Sequence, residues 1–233
     1  MTGMVYVVAA APERNRQVFD EISAAHAGKW VLATAPDELT FERLQALAPT
    51  RVFFLHWSWK VPSDIVRTFE CIGFHMTDLP YGRGGSPLQN LILRGHRTTM
   101  LTAFRLVDAL DAGPIYLKEE LSLDGRAEDI YVRASRLAAH LIGRILNEHP
   151  QPVPQQGEAI VFRRRTPDES RLPAQASPEQ LYDFIRMLDA DGYPRAFTEI
   201  GGYRCELSDA TLEDGVVRAC AAFMSRADGT RSL

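Results

Sequence analysis

Arg51-Val52-Phe53-Phe54-Leu55 sets four apolar residues in a row between polar stretches. A strand with one wet face alternates apolar and polar residues. A continuous short run instead reads as a strand covered on both sides, as in a parallel sheet. Upstream, Thr40–Leu47 (TFERLQAL) places Phe41, Leu44 and Leu47 on one helical face. Downstream, Pro62–Thr68 reads as a helix with Ser63 or Asp64 near its start, and Glu70–Phe74 as the next strand. Farther out, Val5–Ala10 (VYVVAA) is a β-branched apolar run. A helix over Glu13–Ala25 and a short strand at Trp30–Ala33 follow it. Strand and helix alternate throughout, which predicts an α/β, Rossmann-like domain with a mostly parallel sheet. Such sheets bind ligands beyond the carboxyl ends of their strands. The places to search are therefore just past Leu55 and just past Phe74.

The pattern then changes. Asp78–Pro87 (DLPYGRGGSP) is rich in turn residues. Ser86 and Pro87 open a helix as N-cap and first helical residue, and Gly95 closes it. Thr98–Val107 and Pro114–Leu123 read as strands joined by the turn-rich Asp108–Gly113. Glu128–Asn147 is a long amphipathic helix. Pro150, Pro152 and Pro154 mark a linker. Beyond it, Ser177-Pro178-Glu179-Gln180 is a capping box before a short helix at Leu181–Leu188. Ala196–Ile200, Gly201-Gly202 and Tyr203–Leu207 form a hairpin, Val216–Ser225 is a last strand, and the polar tail from Ala227 is expected to fray. The expected division is a main domain over 1–149, a Pro-rich linker over 150–160 and a small C-terminal α+β appendage over 161–233.

Composition narrows the function classes. The 233 residues are 45% hydrophobic and 24% charged, enough for a sizeable core without disulfide or metal staples. Lys+Arg 26 against Asp+Glu 30 leaves a net charge of −4, against a broad nucleic-acid footprint. Cys71, Cys205 and Cys220 have no paired spacing and read as reduced, buried thiols. The N-terminus lacks the basic flank of a signal peptide, and no apolar run reaches membrane length. A cytoplasmic location follows as the expectation.

Chemistry concentrates in Phe74–Gln89 (FHMTDLPYGRGGSPLQ). His75 ends a buried strand, where side chains face the cleft. Asp111 lies in a turn between two strands farther on. An imidazole and a carboxylate brought together transfer protons near neutral pH, although spacing alone does not bring them together. A lone His beside a strand is more often structural.

His75, Leu79, Pro80, Arg83, Gly84, Pro87 and Gln89, followed by Leu110, Asp111, Gly113 and Ile115, make the pattern H-x-x-x-L-P-x-x-R-G-x-x-P-x-Q…L-D-x-G-x-I. It resembles the folate-dependent formyltransferase family over roughly residues 50–145. That family includes methionyl-tRNA formyltransferase, glycinamide ribonucleotide transformylase and sugar N-formyltransferases. The resemblance implies formylation of a primary amine with 10-formyltetrahydrofolate as donor and no metal. It makes His75 and Asp111 the catalytic residues. The family's third catalytic residue is an Asn two positions before the His, and here that position is Gly73. That Asn helps hold the formyl oxygen and its developing charge, and one lost donor of this kind costs about 10²–10³ in rate. Thr77 and Asn90 are the first candidates to replace it, with His56 or a backbone N–H near Gly73 behind them.

The run Leu55–Pro62 (LHWSWKVP) is similar to the H-Y-x-x-x-I-P run of sugar N-formyltransferases. The resemblance implies donor contacts at His56, Trp57, Val61, Pro62, Val107 and Asp108, and acceptor contacts at Trp59, Arg83 and Gln89. If the chain is extended there, Trp57 and Trp59 share a face and either can stack on a flat ligand. Arg163-Arg164-Arg165 precedes Asp168 and Glu169, which favours an ion-paired turn over a phosphate site. Tyr182, Arg186 and Tyr193 either line a substrate edge or pack. The expected acceptor is a small-molecule amine, foremost a nucleotide-linked amino sugar. Methionyl-tRNA and a non-catalytic folate-binding role are the alternatives. A homodimer is the expected self-association, and no membrane partner is expected.

Overall fold

The computed structural model describes residues 3–10 and 14–225. The expected helix start at Glu13 and the frayed tail lie outside the described residues. Contacts divide the chain into two units. The first takes residues 1–87, 99–121 and 132–162, and the second 88–98, 122–131 and 163–233.

The first unit carries most of a six-stranded sheet. Its elements run β1 (Val5–Ala10), α1 (Arg14–Ala25), β2 (Lys29–Ala33), α2 (Phe41–Leu47), β3 (Arg51–Leu55), α3 (Ser63–Thr68), β4 (Cys71–His75) and β5 (Tyr81–Gly84). After α4 (Pro87–Leu93) come β6 (Thr98–Arg105), β7 (Ile115–Ser122), α5 (Ala127–Glu148) and β8 (Ile160–Phe162). The strand order is β2-β1-β3-β4-β6-β7. β2, β1, β3 and β4 run parallel, and β6 turns antiparallel on β4, with Gly73 opposite Phe104 and His75 opposite Thr102. The mostly parallel sheet agrees with the expectation. The run 52–55 is buried throughout, as its unbroken apolar character required. Val7, Ala9, Val52, Phe54, Ile65 and Cys71 belong to one buried cluster. Thr40 caps α2 by accepting from the Arg43 N–H.

The Pro-rich stretch 150–160, expected as a linker, is fastened to the first unit. Val153 and Ile115 exchange both backbone hydrogen bonds, at 2.8 and 2.9 Å. β8 then pairs in parallel with β5, a two-stranded sheet that the sequence reading did not foresee. The prolines do not prevent this, because the donors used come from non-proline residues around them. The contact division accordingly falls after Phe162 and draws two earlier segments into the second unit.

The second unit holds α6 (Pro178–Arg186) and an antiparallel sheet of β9 (Ala196–Ile200), β10 (Tyr203–Glu213) and β11 (Val216–Ser225). The capping box is present: the Ser177 hydroxyl accepts from the Gln180 N–H, and the Gln180 side chain accepts from the Ser177 N–H. Arg186 is 1% exposed, so it packs and lines no substrate edge. Its guanidinium donates to the carbonyls of Leu123 and Gly125 and pairs with Asp183 at 2.7 Å. Tyr182 lies under that guanidinium, 5.5 Å from ring centre to the charge. Of the cysteines, Cys71 and Cys205 are buried, but Cys220 sits on exposed β11. Burial pushes the Cys71 thiol up to about 12. Among the described residues no helix is long and apolar enough to cross a membrane.

Candidate active site

Parallel β1, β3 and β4 end side by side. His56 is the residue after β3, and His75 is the last of β4, two residues past the paired Phe54 and Gly73. Both histidines therefore stand at the carboxyl edge of the sheet, where such folds bind ligands.

His75 is nearly buried. Its Nε2 lies 2.8 Å from the carbonyl oxygen of Gly82. A carbonyl only accepts, so Nε2 carries the proton and, in the neutral ring, Nδ1 presents the lone pair. Nδ1 faces Asp111 Oδ2 at 3.8 Å, too far for a hydrogen bond and close enough for a charge to be felt. Asp111 has a left-handed backbone (φ 49°), and its Oδ2 accepts the Gly84 N–H at 2.8 Å. The turn before β7 needs Gly113. A Cβ there would stand 1.7 Å from the Arg105 carbonyl oxygen, inside any allowed contact. Two residues thirty-six positions apart are thus brought together by a strand end and a glycine-dependent turn.

Gly73 has a neighbourhood of its own. A Cβ placed on it would meet Leu106 Cδ2 at 2.8 Å and Phe104 Cε1 at 3.1 Å. The space an Asn side chain would need at its root is filled by apolar groups. Neither first candidate for its replacement stands ready. Thr77 is fully buried and gives its hydroxyl proton to Gly82 O at 3.3 Å, the same oxygen that holds His75. Its own carbonyl accepts from Thr102 at 2.7 Å. Thr77 fixes the loop that fixes the histidine. Asn90 belongs to the second unit, where it donates to Arg163 O and accepts from Arg94.

His56 turns the chain with φ 48°. β3 therefore stops at Leu55, and Trp57 and Trp59 do not share a strand face as expected. They meet edge to face at 4.8 Å in the loop instead. Trp57 packs on Phe54 and the core cluster, while Trp59 is 44% exposed. Val61 leans on the same cluster, and Pro62 is the residue before α3. His56 Nε2 lies 3.0 Å from Ser135 Oγ, and Ser135 donates to Asn15 Oδ1 at 2.8 Å. Both partners are buried, and neither was singled out from the sequence. Their spacing of 120 residues offers no local signal.

Asp108 binds the turn 107–111 to α3. Hydrogen bonds from Ser63 and then Arg67 hold its carboxyl below the usual range, helped by the charge of Lys60. Val107 and Leu110 stay exposed on that turn, and Trp59 on the neighbouring loop. Arg83 donates to Gln155 and not to a carboxylate. Gln89 departs most from expectation. It is fully buried in the second unit, donating to Tyr131 Oη and Met187 O, so it packs where acceptor contact was expected.

Comparison with known proteins decides the family. A solved structure titled methionyl-tRNA formyltransferase from Clostridium thermocellum is 41% identical, with 95% of this chain and 99% of that one covered and a TM-score of 0.92. The chain belongs to the formyltransferase family. A family model for the C-terminal domain of methionyl-tRNA formyltransferase matches residues 167–224. The curated methionyl-tRNA formyltransferase of Bacillus thuringiensis is 26% identical over 171 residues, 70% of this chain and 54% of that protein. The chain thus spans about half the length of the curated relatives it matches. A 4-N formyltransferase from Francisella tularensis shares the fold, at 15% identity and a TM-score of 0.65 over 97% of this chain and 98% of that one.

Proposed function

We propose that the protein is an N-formyltransferase that takes its formyl group from 10-formyltetrahydrofolate and places it on a primary amine of a small molecule. The observation that carries the proposal is the unspent pair His75–Asp111 at the carboxyl edge of a formyltransferase sheet. The residues present suit a folate. Exposed Trp59 lies on the loop before α3, and exposed Val107 and Leu110 on the turn that Asp108 ties to α3, offering apolar and aromatic surface to a flat ring. His56, Trp57, Val61 and Pro62 form the same loop. The bound donor supplies an activated formyl group.

The chain's own residues then handle protons. Gly82 O anchors the ring at Nε2–H, leaving Nδ1 as the exchanging atom. Asp111 Oδ2 is held by Gly84, and its other oxygen is available to orient the amine and take up its proton. When Nδ1 is protonated it donates toward developing negative charge. The proton that Asp111 takes from the amine matches the one the donor nitrogen gains as its bond to the formyl carbon breaks and tetrahydrofolate leaves. Gly73 contributes no side-chain donor, so more of this work falls on His75 than the family pattern requires.

The acceptor class rests on charge. In the second unit, Arg97, Arg126, Arg163, Arg171, Arg204 and Arg218 each face a carboxylate within 4 Å. Cations already neutralised in this way release few counterions on a phosphate backbone. A nucleotide-linked amino sugar has far fewer phosphates than a tRNA to neutralise, and the His56–Pro62 run is similar to that of sugar N-formyltransferases. Methionyl-tRNA is the second reading, favoured by the names of the Clostridium and Bacillus relatives. Thermal unfolding with 5-formyltetrahydrofolate tests the donor. At about 100 times its Kd the ligand adds about 2.7 kcal/mol. An amine panel with mass-spectrometric detection of formyl product then tests the acceptor. A shift in Tm with product on an amino-sugar nucleotide supports the proposal. Product only on methionyl-tRNA, with steep loss in salt, transfers support to the second reading. Binding without turnover on any amine leaves a folate-binding protein.

A further inference from the structure

We propose that Gln155 is a positioning residue that sets the separation of His75 and Asp111, an inference resting on the activity proposed above. Its amide has all four hydrogen-bonding positions filled. Oε1 accepts from Arg83 Nε at 3.0 Å and Nη2 at 2.6 Å. Nε2 donates to the carbonyls of Asp111 and Gly113, both at 2.8 Å. The partners fix which end is which: a guanidinium only donates and a carbonyl only accepts, so the amide cannot be flipped.

The two segments it joins carry the candidate chemistry. Gly82 and Gly84 flank Arg83. One holds His75 through its carbonyl, and the other holds Asp111 through its N–H. Asp111 and Gly113 form the opposing turn. A single amide therefore spans from the strand that aims the imidazole to the turn that aims the carboxylate. The Arg83 charge polarises that amide and strengthens its two outgoing bonds. The amide is itself held on both sides. Val153 pairs with Ile115 two residues before it, and β8 pairs with β5 five residues after. The proline-bearing stretch between α5 and β8 is thus a brace for the site.

Gln155→Glu separates this role from packing. It keeps an oxygen for Arg83 but sets a carboxylate oxygen against the two turn carbonyls. The expected result is a kcat lower by about 10- to 100-fold, the scale of a misplaced catalytic group, with KM for donor and acceptor within about threefold. Hydrogen exchange supplies a readout without turnover. The amides of Gly84 and of residues 109–113 should exchange faster in the variant, while those of β1 and β3 stay as in the wild type. Gln155→Met removes the amide without adding charge and should give the same exchange pattern, which guards against a folding defect peculiar to the glutamate. Unchanged Gly84 and turn exchange in both variants would overturn the proposal. So would a wild-type kcat, or a loss confined to KM. A wild-type protein that formylates nothing counts against the proposed function alone, and the exchange result still decides the role of Gln155.

Discussion

Two acid–base pairs of this molecule, Arg163–Glu169 and His75–Asp111, are built differently. Glu169 is fully engaged. Its oxygens take Arg163 at 2.6 and 3.2 Å, the Thr166 N–H at 2.7 Å and the Thr166 hydroxyl at 3.2 Å. Asp111 and His75 are each pinned to backbone at 2.8 Å on one side and left 3.8 Å apart on the other. The first pair spends its bonds on itself and on its own turn. The second is oriented and still has atoms to offer. Residue types alone do not distinguish them, since both bring a carboxylate against a basic group. What distinguishes structure from chemistry here is the number of bonding positions already filled.

The comparison breaks first at its active end. His75→Ala and Asp111→Asn should each lower kcat/KM by about 10²–10⁴ for the acceptor that the panel identifies, with Tm changed little. If either variant keeps wild-type turnover, the unspent pair is not the catalytic one. The next largest effect lies at a buried cluster in the second unit. Arg186→Met strands the carbonyls of Leu123 and Gly125 in a buried site and removes a cation from Asp183. Breaking such a set costs about 3 kcal/mol or more, readable in urea unfolding at unchanged m. A loss below about 1 kcal/mol would show the cluster to be ornamental to stability.

Gly73 sharpens the contrast from a third side. Its apolar surroundings mean that restoring the family's Asn overpacks the strand. Gly73→Asn should destabilise by about 1–3 kcal/mol and lower turnover, and Leu106→Ala in the same chain should recover part of both. Turnover that rises in the single variant would instead show that the site lacks only its missing donor.

Much of this was legible from the chain. The run 51–55, the apolar face of the helix ending at Leu47 and the Ser177 capping box are local signals, and each appears where its residues place it. β5 and β8 were not legible. They are four and three residues long and form only by pairing across some eighty positions. Tyr-Gly-Arg-Gly has no alternation to read, and the prolines nearby signal a break. The resemblance supplied His75 and Asp111, and the geometry brings them together. It misplaced Gln89, because a motif position does not say whether a side chain faces ligand or core. Gln155 and Ser135 left no sequence signal, since each acts through partners far along the chain.

The smallest effect tests the spent pair by its own chemistry. Arg163 first, then the Thr166 N–H, hold the Glu169 carboxyl at about 2, against an ordinary 4.5. The unfolded chain therefore takes up this proton at a higher pH than the folded one does. What Glu169 contributes to stability is present in full above about 4.5 and fades as pH falls toward 2. The pair lies at the surface, so its worth is modest and screened by salt. The urea midpoint of the wild type should exceed that of Glu169→Gln by a constant margin from pH 7 to 5. That margin should narrow below 4.5 and shrink at high ionic strength. A margin that holds steady down to pH 2 would mean that the glutamate acts through its hydrogen-bonding shape, which the glutamine keeps in part, and not through its charge. The turn would then owe its order to the hydrogen bonds that residue 169 accepts from Thr166.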